Sequence, residues 1–172
     1  MHEARPAFFG IPNLISAARF PLAALFPLAD DVVRIAIVVA AAATDWVDGR
    51  IARHTGQVTR GGELLDPIAD KTFMLVVLLT LVLEQRLPVW TLPLLLTRDI
   101  GVAIGAAIVL LRGTPARMSA RKPGKVVTWL QFTGIACILI FPATAPWVAV
   151  PVAVAGLYAL VDYRRALDSP SG

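Results

Sequence analysis

Four aspartates, Asp45, Asp48, Asp66 and Asp70, fall within one stretch of 26 residues, in a chain with only 12 acidic residues in all. Asp45 and Asp48 are three positions apart, and Asp66 and Asp70 are four apart, so each pair shares a face if its segment is helical. Carboxylates gathered in a partly desolvated place cannot all stay ionised without compensation. Protonation of some of them would relieve the repulsion, and so would divalent cations bound between them. Oxygen-only ligands suit hard ions such as Mg²⁺ or Mn²⁺, and Mg²⁺ readily shares its shell with substrate phosphates. A site with four aspartates is large enough for two ions, which can clamp an anionic substrate for a phosphoryl-type displacement.

The elements that must position these acids are strongly apolar. Hydrophobic residues make up 57% of the 172, and charged residues only 16%, against about 25% charged in ordinary soluble domains. That composition excludes a disordered chain and leaves too little polar surface for a soluble one. The one cysteine, Cys137, excludes an intrachain disulfide and a four-thiolate zinc site. Apolar stretches at 11–29, 32–54, 66–83, 88–112, 123–142 and 145–163 are each near the ~20 residues that cover a bilayer core. Backbone groups in lipid must bond within their own segment. The expected fold is therefore all-α, one integral membrane domain over residues 1–172 with six transmembrane helices. The first stretch reads as an uncleaved span, because Arg19 interrupts its apolar run.

Orientation follows from the loops. Of 16 basic residues, eleven gather at one set of span ends, among them Arg50, Arg53, Arg60, Arg112, Arg117 and Lys125, whereas Arg34 and Arg86 lie at the other. That bias puts both termini and the 54–66 and 112–123 loops in the cytoplasm. Trp90 and Trp147 then sit at the outer interface, where indoles are favoured. The aspartate pairs fall at the cytoplasmic end of the second span and the cytoplasmic start of the third. Asp66 suits an N-cap with Pro67 in the first helical position, and Gly56, Gly61 and Gly62 suit the preceding turn. Solvated loop charges paired with Arg50, Arg53 and Lys71 are the plainer account of the acids. It does not explain four of them at helical spacings.

The window from Asp45 to Asp70 reads D-x2-D-G-x2-A-R-x8-G-x3-D-x3-D, with Gly49, Ala52, Arg53 and Gly62 at the defined positions between the acids. It resembles the signature of the CDP-alcohol phosphotransferase (CDP-alcohol phosphatidyltransferase) family at every defined position. Pro12-Asn13-Leu14-Ile15-Ser16 with Arg19 looks like that family's first-span opening. Arg98-Asp99 and Gly124-Lys125-Val126 look like later landmarks of its phosphatidylglycerophosphate synthase and cardiolipin synthase branches. The resemblance implies transfer of the phosphatidyl group of CDP-diacylglycerol to an alcohol, with release of CMP. It implies metal on Asp45, Asp48, Asp66 and Asp70, with Asp70 also the general base. Arg53 would hold a phosphate of the CDP group, and the small Gly49, Ala52 and Gly62 would let the nucleotide approach the backbone. Thr44 adjoins the site as a nucleotide contact, although a threonine bonding its own helix is the commoner case. Asn13 is a possible site-lining residue or a helix cap, and Lys71 is either site-lining or an offset for the acids. A homodimer is implied by the resemblance alone.

The acceptor is read from the remaining cations. Arg112, Arg117, Arg121 and Lys125 form a basic stretch that serves topology, anionic lipid heads or an acceptor phosphate. Arg98 lies inside the fourth span, where a charge is costly and faces an aqueous cavity or a partner. A phosphate-binding cavity favours sn-glycerol 3-phosphate. Phosphatidylglycerol, the acceptor of a cardiolipin synthase, also carries a phosphate, so basic residues do not separate the two. Arg-Glu is more usual than Arg-Asp at this landmark in the glycerophosphate-using branch. A proton or cation transporter would also bury charges, but it lacks internal repeats and leaves the glycine spacing and Arg53 unexplained. A role for nucleic acid is not expected.

Overall fold

The computed structural model describes the backbone of residues 11–55, 60–112 and 122–168, and the side chains of 14–44, 65, 68–105, 124, 126–162 and 164. All described elements are helical, with no strand among the described residues. They are α1 (Ile11–Ala17), α2 (Arg19–Leu25), α3 (Asp31–Thr55), α4 (Arg60–Leu83), α5 (Leu92–Leu95), α6 (Thr97–Arg112), α7 (Lys122–Ile140) and α8 (Ala145–Asp168), with 3₁₀ turns at Phe26–Leu28, Val89–Thr91 and Pro142–Thr144. These helices fall on the six apolar stretches read from the sequence. Among the described residues one helical segment, Pro142–Asp162, is long and apolar enough to cross a membrane by length and composition, and Leu14–Leu28 and Val126–Ile140 are shorter apolar helices.

The chain forms two compact units, Met1–Glu84 and Gln85–Gly172. In the first, α1 packs against both α3 and α4, and α2 and the Phe26–Leu28 turn pack against α4. Pro21 has no N–H to bond the Ala17 carbonyl, which accounts for the helix's interruption at Ala18. Asp30 caps α3, its Oδ1 accepting from the Val33 N–H at 2.9 Å. The interior stripe of α4, Ala69, Phe73, Val77 and Leu81, repeats every four residues and is fully buried. Its outward face carries Ile68, Leu75, Leu79 and Leu83, all exposed. A water-facing helix would be polar there; an apolar outer face suits lipid.

Helix α4 corrects one expectation. It begins at Arg60, so Asp66 and Pro67 lie within it rather than at its cap, and Gly61 and Gly62 are helical rather than in the turn. Pro67 removes only its own bond, to the Glu63 carbonyl near the start of the helix, so the helix continues upstream. At the other end Gln85 takes a left-handed φ of 58°, the conformation glycine usually supplies after a helix.

In the second unit α5, α6 and α7 all pack against α8. Ala145, Ala149, Val152, Ala153 and Ala159 form the buried face of α8, and such small residues let helices approach closely without a water-driven hydrophobic force. The helix breaks at Leu96, between α5 and α6. There the Thr97 hydroxyl is 2.9 Å from the Pro93 carbonyl and 2.8 Å from that of Leu94, and such back-bonding bends helices.

Gly156 of α8 packs closely on this break. A Cβ there would lie 3.1 Å from the Arg98 backbone nitrogen and 3.4 Å from the Arg98 and Thr97 Cβ atoms. Glycine to alanine inside a helix ordinarily stabilises by about 1 kcal/mol. Here the obstacle is backbone, which cannot swing aside, and overpacking costs about 1–3 kcal/mol. The sign therefore reverses: Gly156→Ala is expected to lower the thermal midpoint in detergent, and a rise would show that the break yields freely.

Candidate active site

The four aspartates divide between two helices, Asp45 and Asp48 on α3 and Asp66 and Asp70 on α4. Both helices rest on α1, which carries Asn13. Gly49, Ala52 and Arg53 share α3 with the first pair, and Gly62 shares α4 with the second. The side chains of Asn13, Asp45, Asp48, Ala52, Arg53 and Asp66 lie outside the described residues, as does the 56–59 turn. Among the described residues there is no group of three or more His, Cys, Asp or Glu side chains placed to hold a metal.

Asp70 is the one aspartate of the window whose side chain is described. It is 17% exposed, next to the fully buried Ala69, and Lys71 Nζ is 3.7 Å from its Oδ2. Lys71 is itself 45% exposed, so water screens that pairing heavily. Thr44 donates its hydroxyl to the Ala41 carbonyl at 2.8 Å, the within-helix bond that is commonest for threonine. Helical continuity through Asp66 puts it and Asp70 on one face of α4. Two carboxylate pairs on helices that share a packing partner, with oxygen as their only donor atom, fit a hard divalent cation.

The other end of the first unit holds a polar cluster that the sequence reading passed over. Arg34 is buried, and its Nη1 and Nη2 donate to Glu84 Oε2 and Oε1 at 2.7 and 2.6 Å. Its Nε and Nη2 also donate to the carbonyls of Phe26 and Pro27 at 3.0 and 3.1 Å. The guanidinium carbon sits 5.3 Å from the centre of the Phe26 ring.

The acceptor candidates fall in the second unit. Arg98 occupies the first turn of α6, with its side chain 18% exposed. Its Nη1 donates to Thr128 Oγ1 at 3.1 Å and stands 3.8 Å from Asp99 Oδ1. Its Nε is buried and has no hydrogen-bond partner among the described residues. Arg112 ends α6 and Lys125 lies in the first turn of α7, both with side chains outside the described residues, while Arg117 and Arg121 lie outside them altogether. Gln131, an unremarked residue of the fifth stretch, proves to be buried against Asp99 and the Leu95 carbonyl. Its signal was a lone amide three residues beyond Thr128 in an otherwise apolar run.

Residues 9–155 match the family model of the CDP-alcohol phosphatidyltransferases. The chain belongs to that family. The match crosses both compact units. Among similar proteins, the CDP-diacylglycerol–glycerol-3-phosphate 3-phosphatidyltransferase of Bacillus subtilis is 30% identical, over 90% of this chain and 89% of its own. A Mycobacterium tuberculosis protein named for phosphatidylglycerophosphate synthesis is 37% identical, over 82% of this chain and 69% of its own. Another from the same organism, named for cardiolipin synthesis, is 33% identical, over 80% and 68%. CDP-alcohol phosphatidyltransferases are membrane-bound lipid synthases, generally dependent on a divalent metal.

Proposed function

We propose that this CDP-alcohol phosphatidyltransferase makes phosphatidylglycerophosphate from CDP-diacylglycerol and sn-glycerol 3-phosphate, releasing CMP. The observation that carries the reading is the complete aspartate–glycine–arginine window, split between α3 and α4. The relatives named as a CDP-diacylglycerol–glycerol-3-phosphate 3-phosphatidyltransferase and for phosphatidylglycerophosphate synthesis support the acceptor.

Asp45, Asp48, Asp66 and Asp70 are the proposed holders of two Mg²⁺ or Mn²⁺ ions. Bound there, the metal would neutralise the pyrophosphate and the charge developing on the leaving CMP. Asp70 accepts the proton of the attacking hydroxyl. The acceptor oxygen bonds to the phosphorus that carries diacylglycerol, and the bond from that phosphorus to the CMP oxygen breaks. Arg53 holds a CDP phosphate, and Thr44, Gly49, Ala52 and Gly62 border the nucleotide. Arg98, Arg112, Arg117, Arg121 and Lys125 are the proposed acceptor-phosphate residues, with Asn13 and Lys71 bordering the site. The six helical stretches form six spans of one domain in the bacterial cytoplasmic membrane, with both termini and the site facing the cytoplasm. A homodimer is the proposed assembly.

The test is CMP release by purified protein given CDP-diacylglycerol, Mg²⁺ and a panel of alcohols. Release with glycerol 3-phosphate, abolished by EDTA and restored by Mg²⁺, is the expected result. Release with phosphatidylglycerol alone would move the protein to the second reading, cardiolipin synthesis, which the 33% relative favours. No release with any alcohol, together with cation flux into liposomes, would overturn both.

A further inference from the structure

We infer that Gln131 is a positioning residue for the acceptor: it holds the Asp99 carboxylate off Arg98, so that the guanidinium keeps its charge for the acceptor's phosphate. The inference rests on the proposed role of Arg98. Gln131 is 3% exposed, and its Nε2 donates to the Leu95 carbonyl at 2.7 Å and to Asp99 Oδ2 at 3.1 Å. Both hydrogens of the amide nitrogen are thereby used at the α5–α6 break, which fixes the orientation of the side chain.

Asp99 follows Arg98 directly in the chain, and its side chain is 9% exposed. A carboxylate beside a guanidinium frequently closes into two short parallel bonds at about 2.7–2.9 Å. Arg34 and Glu84 do so in this same chain, at 2.6 and 2.7 Å. Arg98 and Asp99 do not. Their nearest approach is 3.8 Å, on one guanidinium nitrogen. Neighbours on a helix point apart, and the Gln131 N–H draws one Asp99 oxygen toward α7.

Arg98 is fixed from its other side by Thr128, which accepts from Nη1 and donates to the Gly124 carbonyl at 3.3 Å. Gly124, Thr128 and Gln131 recur at four and three residues, so one face of α7 supplies the partner of Arg98, that partner's own acceptor and the partner of Asp99. The buried Nε of Arg98 has no protein acceptor among the described residues. An anion reaching Nε and the adjoining Nη meets the planar fork that suits phosphate oxygens. Asp99 is the competitor for that fork, and Gln131 restrains it.

The test measures KM for glycerol 3-phosphate and for CDP-diacylglycerol separately, in wild type, Gln131→Leu, Asp99→Asn and the double variant. In Gln131→Leu the acceptor KM is expected to rise about tenfold or more, with kcat and the CDP-diacylglycerol KM within about threefold of wild type. Adding Asp99→Asn removes the competing charge and is expected to bring the acceptor KM back to within about threefold. Asp99→Asn alone keeps an acceptor for the Gln131 N–H and is expected to leave that KM equal or lower, which decides the matter even if Gln131→Leu fails to fold. An unchanged acceptor KM in Gln131→Leu, a parallel rise for both substrates, no recovery in the double variant, or a higher acceptor KM in Asp99→Asn would each overturn the inference. Wild-type turnover with phosphatidylglycerol alone would instead overturn the proposed acceptor, and the same series read on phosphatidylglycerol would then decide the role of Gln131.

Discussion

Asp70→Asn is expected to cut CMP release at least about 10³-fold while leaving folded protein in the membrane. Two losses combine in one substitution. A positioned general base contributes about 10²–10⁴-fold, and the amide has no basic oxygen to take the acceptor's proton. The amide is also a neutral ligand where an anionic one balances a divalent cation. The amide keeps the shape of the carboxylate, and the Lys71 contact that it weakens is long and screened. Stability is therefore expected to stay within about 1 kcal/mol of wild type. Single-turnover CMP release, with a thermal melt of the same sample, separates the two effects. Activity within tenfold of wild type would remove Asp70 as the base. Inactivity accompanied by a collapsed melt would instead make it a structural residue.

Arg34→Met is expected to produce the largest loss of stability. Met fills much of the same volume but leaves the Phe26 and Pro27 carbonyls and the Glu84 carboxylate without their donor. A broken buried ion pair costs about 3–5 kcal/mol. Glu84 is 34% exposed and can regain water, so about 2–4 kcal/mol is the better expectation. For a chain of this size that is roughly 5–15 °C in thermal midpoint. Arg34→Lys keeps the charge and loses the fork, and should fall between wild type and Met. A Met variant that melts with wild type would mean the pair only breaks even against its desolvation. The pair lies at the opposite end of α3 and α4 from the aspartates, so the CDP-diacylglycerol KM of surviving protein should change little.

These two predictions differ in how far the sequence alone supports them. The aspartate window is legible because spacing within a helix fixes which residues share a face, and metal chemistry demands particular residue types. The helical segments were legible for a related reason, since apolar length and backbone satisfaction in lipid leave few alternatives. The Arg34–Glu84 pair was not, because it joins residues 50 positions apart through the packing of two helices. Gln131 was hidden in the same way, since its partners come from a break at Leu96 that only the Thr97 hydroxyl betrays. The start of α4 was misjudged because Pro67 carries a strong local signal for a first turn. The upstream residues continue the helix past it.

The position of Glu84 also bears on the order in which the protein is built. It is the last residue of the first unit. During synthesis the Arg34 guanidinium therefore waits some 50 residues for the carboxylate that takes two of its hydrogen bonds, about 3–10 s at ordinary elongation rates. Once residue 84 has been added, the first unit holds both partners of this pair. The Arg34–Glu84 pair can therefore close before α5 to α8 have been made.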